Sequence, residues 1–352
     1  MENEKLKLCI WTEGDAGIGM GHVRRCLVIA HEIRKKGMPV HFLVNDNPAV
    51  AKWIRQDGFL FSVAPLDETG LPLLDEHGCS LVMMDTKKPV AGLVKALKGS
   101  GFKVILMDTV TEARLDADIV IYPTAVFKNN FNWKGFQGKV FYGAEYVPIA
   151  ESFRESRQRY GEKVLDPPYR ILVTMGGSDP NHLTYKVVSA LRGWDGPVII
   201  KVVIGPSFSP DENLEILEAE KDLNIEFIRN IEDLSLLMAE SHIAITALGT
   251  TLYELAYLGV PSVIIANYKN DESDMEAFKK LGIAFPLGYY KDVKVEDIRS
   301  AVEELLGNRD LYKEMSRKGN TLINGHGSER IVDIIRQMTK GKEEMGSEGV
   351  VV

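Results

Sequence analysis

Leu6-Lys7-Leu8-Cys9-Ile10-Trp11, followed by Gly17-Ile18-Gly19-Met20-Gly21-His22-Val23-Arg24-Arg25, places an apolar run, a glycine-rich turn and an amphipathic stretch in immediate succession. The first run predicts a strand over 6–11, the glycines a tight loop, and the spacing of apolar residues a helix over 23–36. Glycines such as Gly19 and Gly21 let backbone approach a ligand closely, and a helix N-terminus attracts phosphate. The same positive end disfavours an imidazolium, so His22 is expected to be neutral and able to act as a base. Two other readings remain beside this one. The segment is also compatible with a plain turn and helix cap, or with a dinucleotide fingerprint whose third glycine position is held by His22 and whose acidic partner is Asp46.

Working outward, the strand–loop–helix unit recurs. Residues 40–44, 80–84, 104–107 and 119–121 read as further strands, with helices near 49–57 and 90–98, which predicts a parallel sheet covered on both faces. Two strands end in the same tripeptide, Met84-Asp85-Thr86 and Met107-Asp108-Thr109. Ligands bind beyond the carboxyl ends of parallel strands, so Asp85 and Asp108 are expected beside the glycine loop, with a turn or N-cap role as the alternative.

Residues 146–169 are charged, include Pro167-Pro168 and break the pattern, so they are the expected domain connection, with a helix over 149–160. A second alternation follows. Strands are predicted at 170–175, 198–204, 225–228, 243–245 and 262–266, and helices near 183–191, 211–221, 232–241 and 251–258. Helices at 295–306, 311–318 and 328–339 complete the chain. The expected organisation is a domain over 1–150, a second over 165–335 and a disordered tail at 340–352, with a ligand cleft between the two domains.

Two loops in the second half carry chemistry. Gly176-Gly177-Ser178-Asp179 follows a strand and opens a helix, where free amides suit an anion and Ser178 suits a cap. Gly249-Thr250-Thr251 does the same before a helix whose first turn holds Glu254. Hydroxyls there suit a diphosphate, and a carboxylate one turn later suits a ribose diol; a capping box of Thr251 with Glu254 is the alternative.

Composition narrows the classes. The chain has 352 residues, enough for two cores, and a net charge of −8, which argues against nonspecific nucleic-acid binding. No apolar run reaches membrane-spanning length, and Met1-Glu2-Asn3-Glu4-Lys5 lacks signal-peptide form, so a cytoplasmic location is expected. Cys9, Cys26 and Cys79 lack metal-ligand spacing and read as reduced, buried thiols. Asp116-Ala117-Asp118 has the D-x-D form of a metal site but directly precedes an apolar strand, and the seven histidines form no ligand cluster, so no metal is expected. His326 reads as a turn residue before the last helix.

Gly19-Met20-Gly21-His22-Val23-Arg24-Arg25, Met175-Gly176-Gly177-Ser178-Asp179 and the segment from Gly249 to Pro261 together resemble the GT-B nucleotide-sugar enzymes related to MurG. Within these the chain is most similar to the PseG-type UDP-sugar hydrolases and the SpsG-type glycosyltransferases. The resemblance spans residues 6–335 and implies an α/β GT-B fold of two Rossmann-like, doubly wound domains facing a cleft. It implies metal-independent, inverting cleavage of a UDP-activated amino or deoxy sugar, without cofactor, with glycosyl transfer or non-catalytic nucleotide-sugar binding as alternatives. His22 would be the base and Arg25 would support the loop or the phosphates. Gly176, Gly177, Ser178 and Asp179 would lie along the diphosphate, with Gly249, Thr250 and Thr251 completing the cradle. Ile228, on the loop after its strand, would sit near the uracil, Glu254 would hold the ribose, and Asn270 would lie in a polar loop near the sugar. Where the hydrolases carry a tyrosine after the strand-end aspartate, this chain has Lys87, which implies contact with a phosphate or a carboxylate.

Overall fold

Leu8, Cys9, Ile10 and Trp11 are all fully buried, so the first strand presents apolar side chains to two opposite layers, as a parallel sheet requires. The computed structural model describes residues 7–15, 18–209, 211–219 and 222–339; Gly17 and the expected tail 340–352 lie outside the described residues. In chain order the first unit comprises β1 (Lys7–Thr12), α1 (Gly21–Lys35), β2 (Val40–Val44), α2 (Pro48–Gln56), β3 (Leu60–Val63), α3 (Leu71–Glu76), β4 (Cys79–Asp85), α4 (Ala91–Gly99), β5 (Lys103–Met107), β6 (Ile119–Tyr122) and β7 (Lys139–Tyr142). These strands form one sheet in the order β3-β2-β1-β4-β5-β6-β7, every pair parallel.

The second unit comprises α5 (Glu151–Tyr160), β8 (Tyr169–Thr174), α6 (Leu183–Leu191), β9 (Val198–Ile204), α7 (Glu212–Ala219), β10 (Ile225–Arg229), α8 (Ser235–Glu240), β11 (Ile243–Ala247), α9 (Thr251–Tyr257), β12 (Ser262–Ala266), α10 (Glu272–Leu281), β13 (Ala284–Tyr289), α11 (Val295–Gly307) and α12 (Arg309–Leu322), and the chain ends in α13 (Gly327–Thr339). Its sheet runs β10-β9-β8-β11-β12-β13, again with every pair parallel. Each half therefore has the doubly wound order, with strand order reversing beside its first strand. In the first half the reversal lies between β1 and β4, and in the second between β8 and β11. No helix among the described residues is long and apolar enough to cross a membrane.

The unit boundaries differ from the expected 1–150 and 165–335. The first unit takes the chain up to Pro148 and again from His326 onward, while Ile149–Gly325 form the second. The last helix is the reason. Ile331, Val332 and Ile335 of α13 are fully buried in the same core as Val23, Cys26, Ile29 and Ile33 of α1. Gly327 has no room for a side chain, since a Cβ there would overlap the Val147 carbonyl, and Arg330 Nη1 donates to the Glu145 carbonyl at 2.8 Å. The helix predicted from 149 belongs to the second unit rather than to a linker: Ser156 of α5 donates to Ser235 of α8 at 3.1 Å, buried on both sides.

Candidate functional site

Thr12 and Asp85 end β1 and β4 and are paired in register, so residues 73 apart in sequence meet at the first reversal point. His22 is the second residue of α1 and Arg25 follows it by three, so both side chains share one helix face. The loop leading to them is pinned: Gly14 exchanges hydrogen bonds with the Asn45 side chain at 3.0 and 3.1 Å, and the Gly19 and Ile18 amides donate to Asp15 at 2.9 and 2.8 Å. Gly19 has φ +79°, which suits glycine, and Gly21 has open space where a side chain would be. The N-cap of α1 is Met20, and no side chain caps the helix.

On this frame sits a chain of charged hydrogen bonds. His22 Nδ1 lies 2.6 Å from Asp85 Oδ1. Arg25 grips the same carboxylate at two points, Nε to Oδ2 and Nη2 to Oδ1, both at 2.7 Å. Arg25 Nη1 also lies 3.4 Å from Asp108 Oδ2, which accepts from Lys87 Nζ at 2.8 Å. The Asp85 side chain is 0% exposed and those of His22 and Arg25 are 12% and 10% exposed. Burial opposes the charge on Asp85, but the adjacent guanidinium and the His22 hydrogen bond outweigh it and hold the carboxyl well below the usual carboxylate range. An ionised carboxylate only accepts, so the proton of the 2.6 Å contact is on His22 Nδ1, and in the neutral ring this leaves the lone pair on Nε2. Burial also pushes the Cys26 thiol, 3.7 Å from Asp85 Oδ2, well above its ordinary range.

Asp85 and Asp108 thus both face Arg25, but differently. Asp85 is enclosed and its oxygens are occupied by protein groups, whereas Asp108 is partly exposed and stands in the left-handed backbone region, φ +51°. Lys87, expected to meet a ligand anion, bonds to the carboxylate and carbonyl of Asp108 instead. Sequence reading missed the neighbouring contacts in which buried Glu13 accepts from Thr86 Oγ1 at 2.6 Å and from Lys88 Nζ. Asp118 of the D-x-D triplet accepts from Lys98 Nζ at 2.5 Å and the Val104 amide at 2.8 Å, which ties α4 and β5 together.

In the second unit, the Gly176-Gly177 and Gly249-Thr250-Thr251 loops follow β8 and β11, neighbours at the second reversal point. Gly176 (φ +82°) and Gly177 are exposed, with open space at both Cβ positions. Asp179 does not lie along this surface. It is buried, and its two oxygens accept from the Leu183 and Thr184 amides at 2.8 Å each, so it caps α6 in the role expected of Ser178. Those amides are then unavailable to a phosphate. Gly249 and Thr250 are exposed. Thr250, not Thr251, is the N-cap of α9, and its side chain makes no capping bond. Glu254 is therefore the fourth helical residue, one place beyond the capping-box position, and is half-buried. Ile228 lies within β10, not on the loop after it. Asn270 is exposed in a short turn after β12, and Asn181 donates to the Asn267 side chain at 2.9 Å close by in sequence.

Residues 170–335 match the glycosyltransferase family 28 C-terminal domain. Acinetobacter baumannii MurG superposes with a TM-score of 0.69 at 18% identity, covering 94% of this chain and all of that one. A UDP-GlcNAc 2-epimerase from Neisseria meningitidis, solved bound to UDP-GlcNAc, gives 0.65 at 13% identity over 94% and 100% of the two chains. The fold is GT-B.

Within that class the chain is SpsG- and PseG-like. It is 24% identical over 340 residues to the spore coat polysaccharide biosynthesis protein SpsG of Bacillus subtilis, covering 94% of this chain and 97% of the relative. It is 24% identical over 288 residues to a UDP-2,4-diacetamido-2,4,6-trideoxy-beta-L-altropyranose hydrolase of Campylobacter jejuni, covering 79% and 97%. The uncharacterized protein MJ1062 of Methanocaldococcus jannaschii is 28% identical over 310 residues, 83% of this chain, and the chain spans 63% of that relative's length.

Proposed function

We propose that this protein is a cytoplasmic enzyme of polysaccharide or nonulosonic acid biosynthesis that hydrolyses a UDP-activated amino or deoxy sugar at its anomeric carbon, with inversion and release of UDP. The observation that carries the proposal is the 2.6 Å contact of His22 Nδ1 with ionised Asp85, which leaves Nε2 as a proton acceptor at the carboxyl end of a parallel sheet. Water attacks the anomeric carbon from the face opposite the diphosphate, His22 Nε2 takes its proton, and Asp85 stabilises the imidazolium that forms. No divalent ion is assigned a role. The negative charge developing on UDP is met by backbone amides of the Gly176-Gly177 and Gly249-Thr250-Thr251 loops and the Thr250 and Thr251 hydroxyls. Glu254 accepts from the ribose diol, Ile228 contributes an apolar contact to the uracil, and Asn270 faces the sugar.

The match of residues 170–335 to a glycosyltransferase domain supports a second reading, in which an acceptor hydroxyl replaces water at the same base. UDP release from a panel of UDP-sugars, with and without acceptor alcohols, decides between them. Release that needs no acceptor and is lost in His22→Ala supports hydrolysis. Release only with an acceptor supports transfer, UDP binding without turnover supports a binding protein, and activity undiminished in His22→Ala refutes the assignment of the base.

A further inference from the structure

We propose that Arg25 is a positioning residue: by gripping both oxygens of Asp85 it fixes the polarity of the His22–Asp85 hydrogen bond, so that the proton stays on Nδ1 and Nε2 stays open. The proposal deepens the reading of His22 as base and rests on it for its catalytic consequence. A neutral imidazole and a carboxyl group can share one hydrogen bond in two ways. In the first, a carboxylate accepts from Nδ1–H and Nε2 is free to take a proton. In the second, the carboxyl has itself taken up a proton and donates it to Nδ1, so the ring's own hydrogen sits on Nε2 and the group cannot act as a base.

Enclosure favours the second arrangement. Asp85 has no exposed surface, and a carboxylate without water or a cation is costly to keep ionised. Arg25 reverses that preference. A guanidinium does not deprotonate in a protein, and its Nε and Nη2 hydrogens point at Oδ2 and Oδ1 at 2.7 Å each. A proton on either oxygen would meet an N–H already aimed at it. Asp108, 3.4 Å from Nη1 and held by Lys87, balances the remaining charge of the guanidinium. Geometry also explains the spacing of histidine and arginine: three residues on a helix put both over the end of the adjacent strand. With Nε and Nη2 committed, Arg25 is not primarily a phosphate ligand.

The test compares the wild-type chain with Arg25→Gln and Arg25→Lys by three measurements: the His22 tautomer from ¹⁵N chemical shifts at neutral pH, UDP affinity by calorimetry, and kcat and KM for a UDP-sugar that is turned over. His22→Gln identifies the resonances. In the wild type the hydrogen is on Nδ1; in R25Q it moves to Nε2, kcat falls about 10²–10⁴-fold, and KM and UDP affinity stay within about threefold. R25K, which keeps the charge but not the two-point grip, restores the Nδ1 hydrogen and leaves kcat between the values of R25Q and wild type. An R25Q that keeps the Nδ1 hydrogen, or loses UDP affinity by tenfold or more, overturns the proposal. Should R25Q fail to fold, R25K decides: a retained tautomer with unchanged UDP affinity supports it, and lost UDP affinity overturns it. If no UDP-sugar is turned over, the proposed function fails, yet the tautomer comparison still decides the role of Arg25.

Discussion

Asp85→Asn is the most direct probe of the charged network, because it keeps the shape of the side chain and removes only its charge. The wild-type carboxylate accepts two hydrogen bonds from Arg25 and one from His22, with no solvent contact. Asparagine offers one acceptor oxygen and turns an amide donor toward either Arg25 or His22, so at least one contact becomes donor against donor. Removing one partner of a buried ion pair costs about 3–5 kcal/mol. Asp108, 3.4 Å from Arg25 Nη1, takes up part of the stranded charge, which places the expected loss near the lower end, at about 3 kcal/mol. The dependence on pH follows from the depressed carboxyl. Its contribution is fully present above the unfolded-state value of roughly 4 and is lost only as pH falls through the lower folded-state value, so the gap between wild type and D85N narrows as pH falls below about 4. Urea unfolding in a Trp194→Phe background reads the first unit, since Trp11, Trp53 and Trp133 all lie there. A loss under about 1 kcal/mol at pH 7, or a gap that does not narrow as pH falls below about 4, would refute the network as described.

Other expectations follow from single contacts. Asp179→Ala strips two amides of α6 of their acceptor and costs about 2 kcal/mol by urea unfolding, read through Trp194; UDP affinity compared at a temperature where both proteins are folded stays within about twofold, and a tenfold loss would return Asp179 to the phosphate site. Gly70→Ala puts a methyl 2.5 Å from Trp11 Cζ2 and 3.2 Å from Ala64 Cβ in a filled core, so urea unfolding is expected to show a loss of about 1–3 kcal/mol. Burial, with His77 and Lys7 adding, pushes His41 down to about 4, so the unfolded chain binds the extra proton between roughly pH 6.5 and 4. Stability is therefore complete above about pH 6.5 and declines toward pH 4, by up to about 3 kcal/mol for this group; His41→Gln flattens that decline, and a variant that declines as steeply as wild type would show that His41 does not carry it.

The alternating strands and helices of both halves were legible because the central strands are apolar on both faces. The three strands that sequence reading passed over, β3, β7 and β13, all stand at sheet edges, and two of them hide for a clear physical reason. In β3, Leu60 and Val63 are 72% and 50% exposed, so an apolar pattern points outward and no buried face announces the strand. β13 contains Pro286 and Gly288, residues that argue against a strand, and both are accommodated because it lies at an edge and its register with β12 slips between Ile264 and Ile265. The unit boundary was misplaced for a different reason. The pattern of α13 shows that it buries one face, but not that its partner is α1, some 300 residues earlier in the chain.

The site divides along the same line between local and long-range information. His22 beside its glycines is a local signal, and so are the two strand-end aspartates. Which aspartate meets which base depends on strand order: β1 and β4 are neighbours where the sheet reverses, so Asp85 reaches His22, while Asp108, one strand further on, reaches Arg25 and Lys87. Identical tripeptides thereby acquire an enclosed role and a partly exposed one. Asp179 shows the opposite limit. In Gly176-Gly177-Ser178-Asp179 either Ser178 or Asp179 has the chemistry of a cap, and a positive φ at Asp179 turns its carboxylate back onto the amides of Leu183 and Thr184. Composition identified the loop as one that presents amides; only the backbone turn decides whether an acidic residue in it faces outward or closes its own helix.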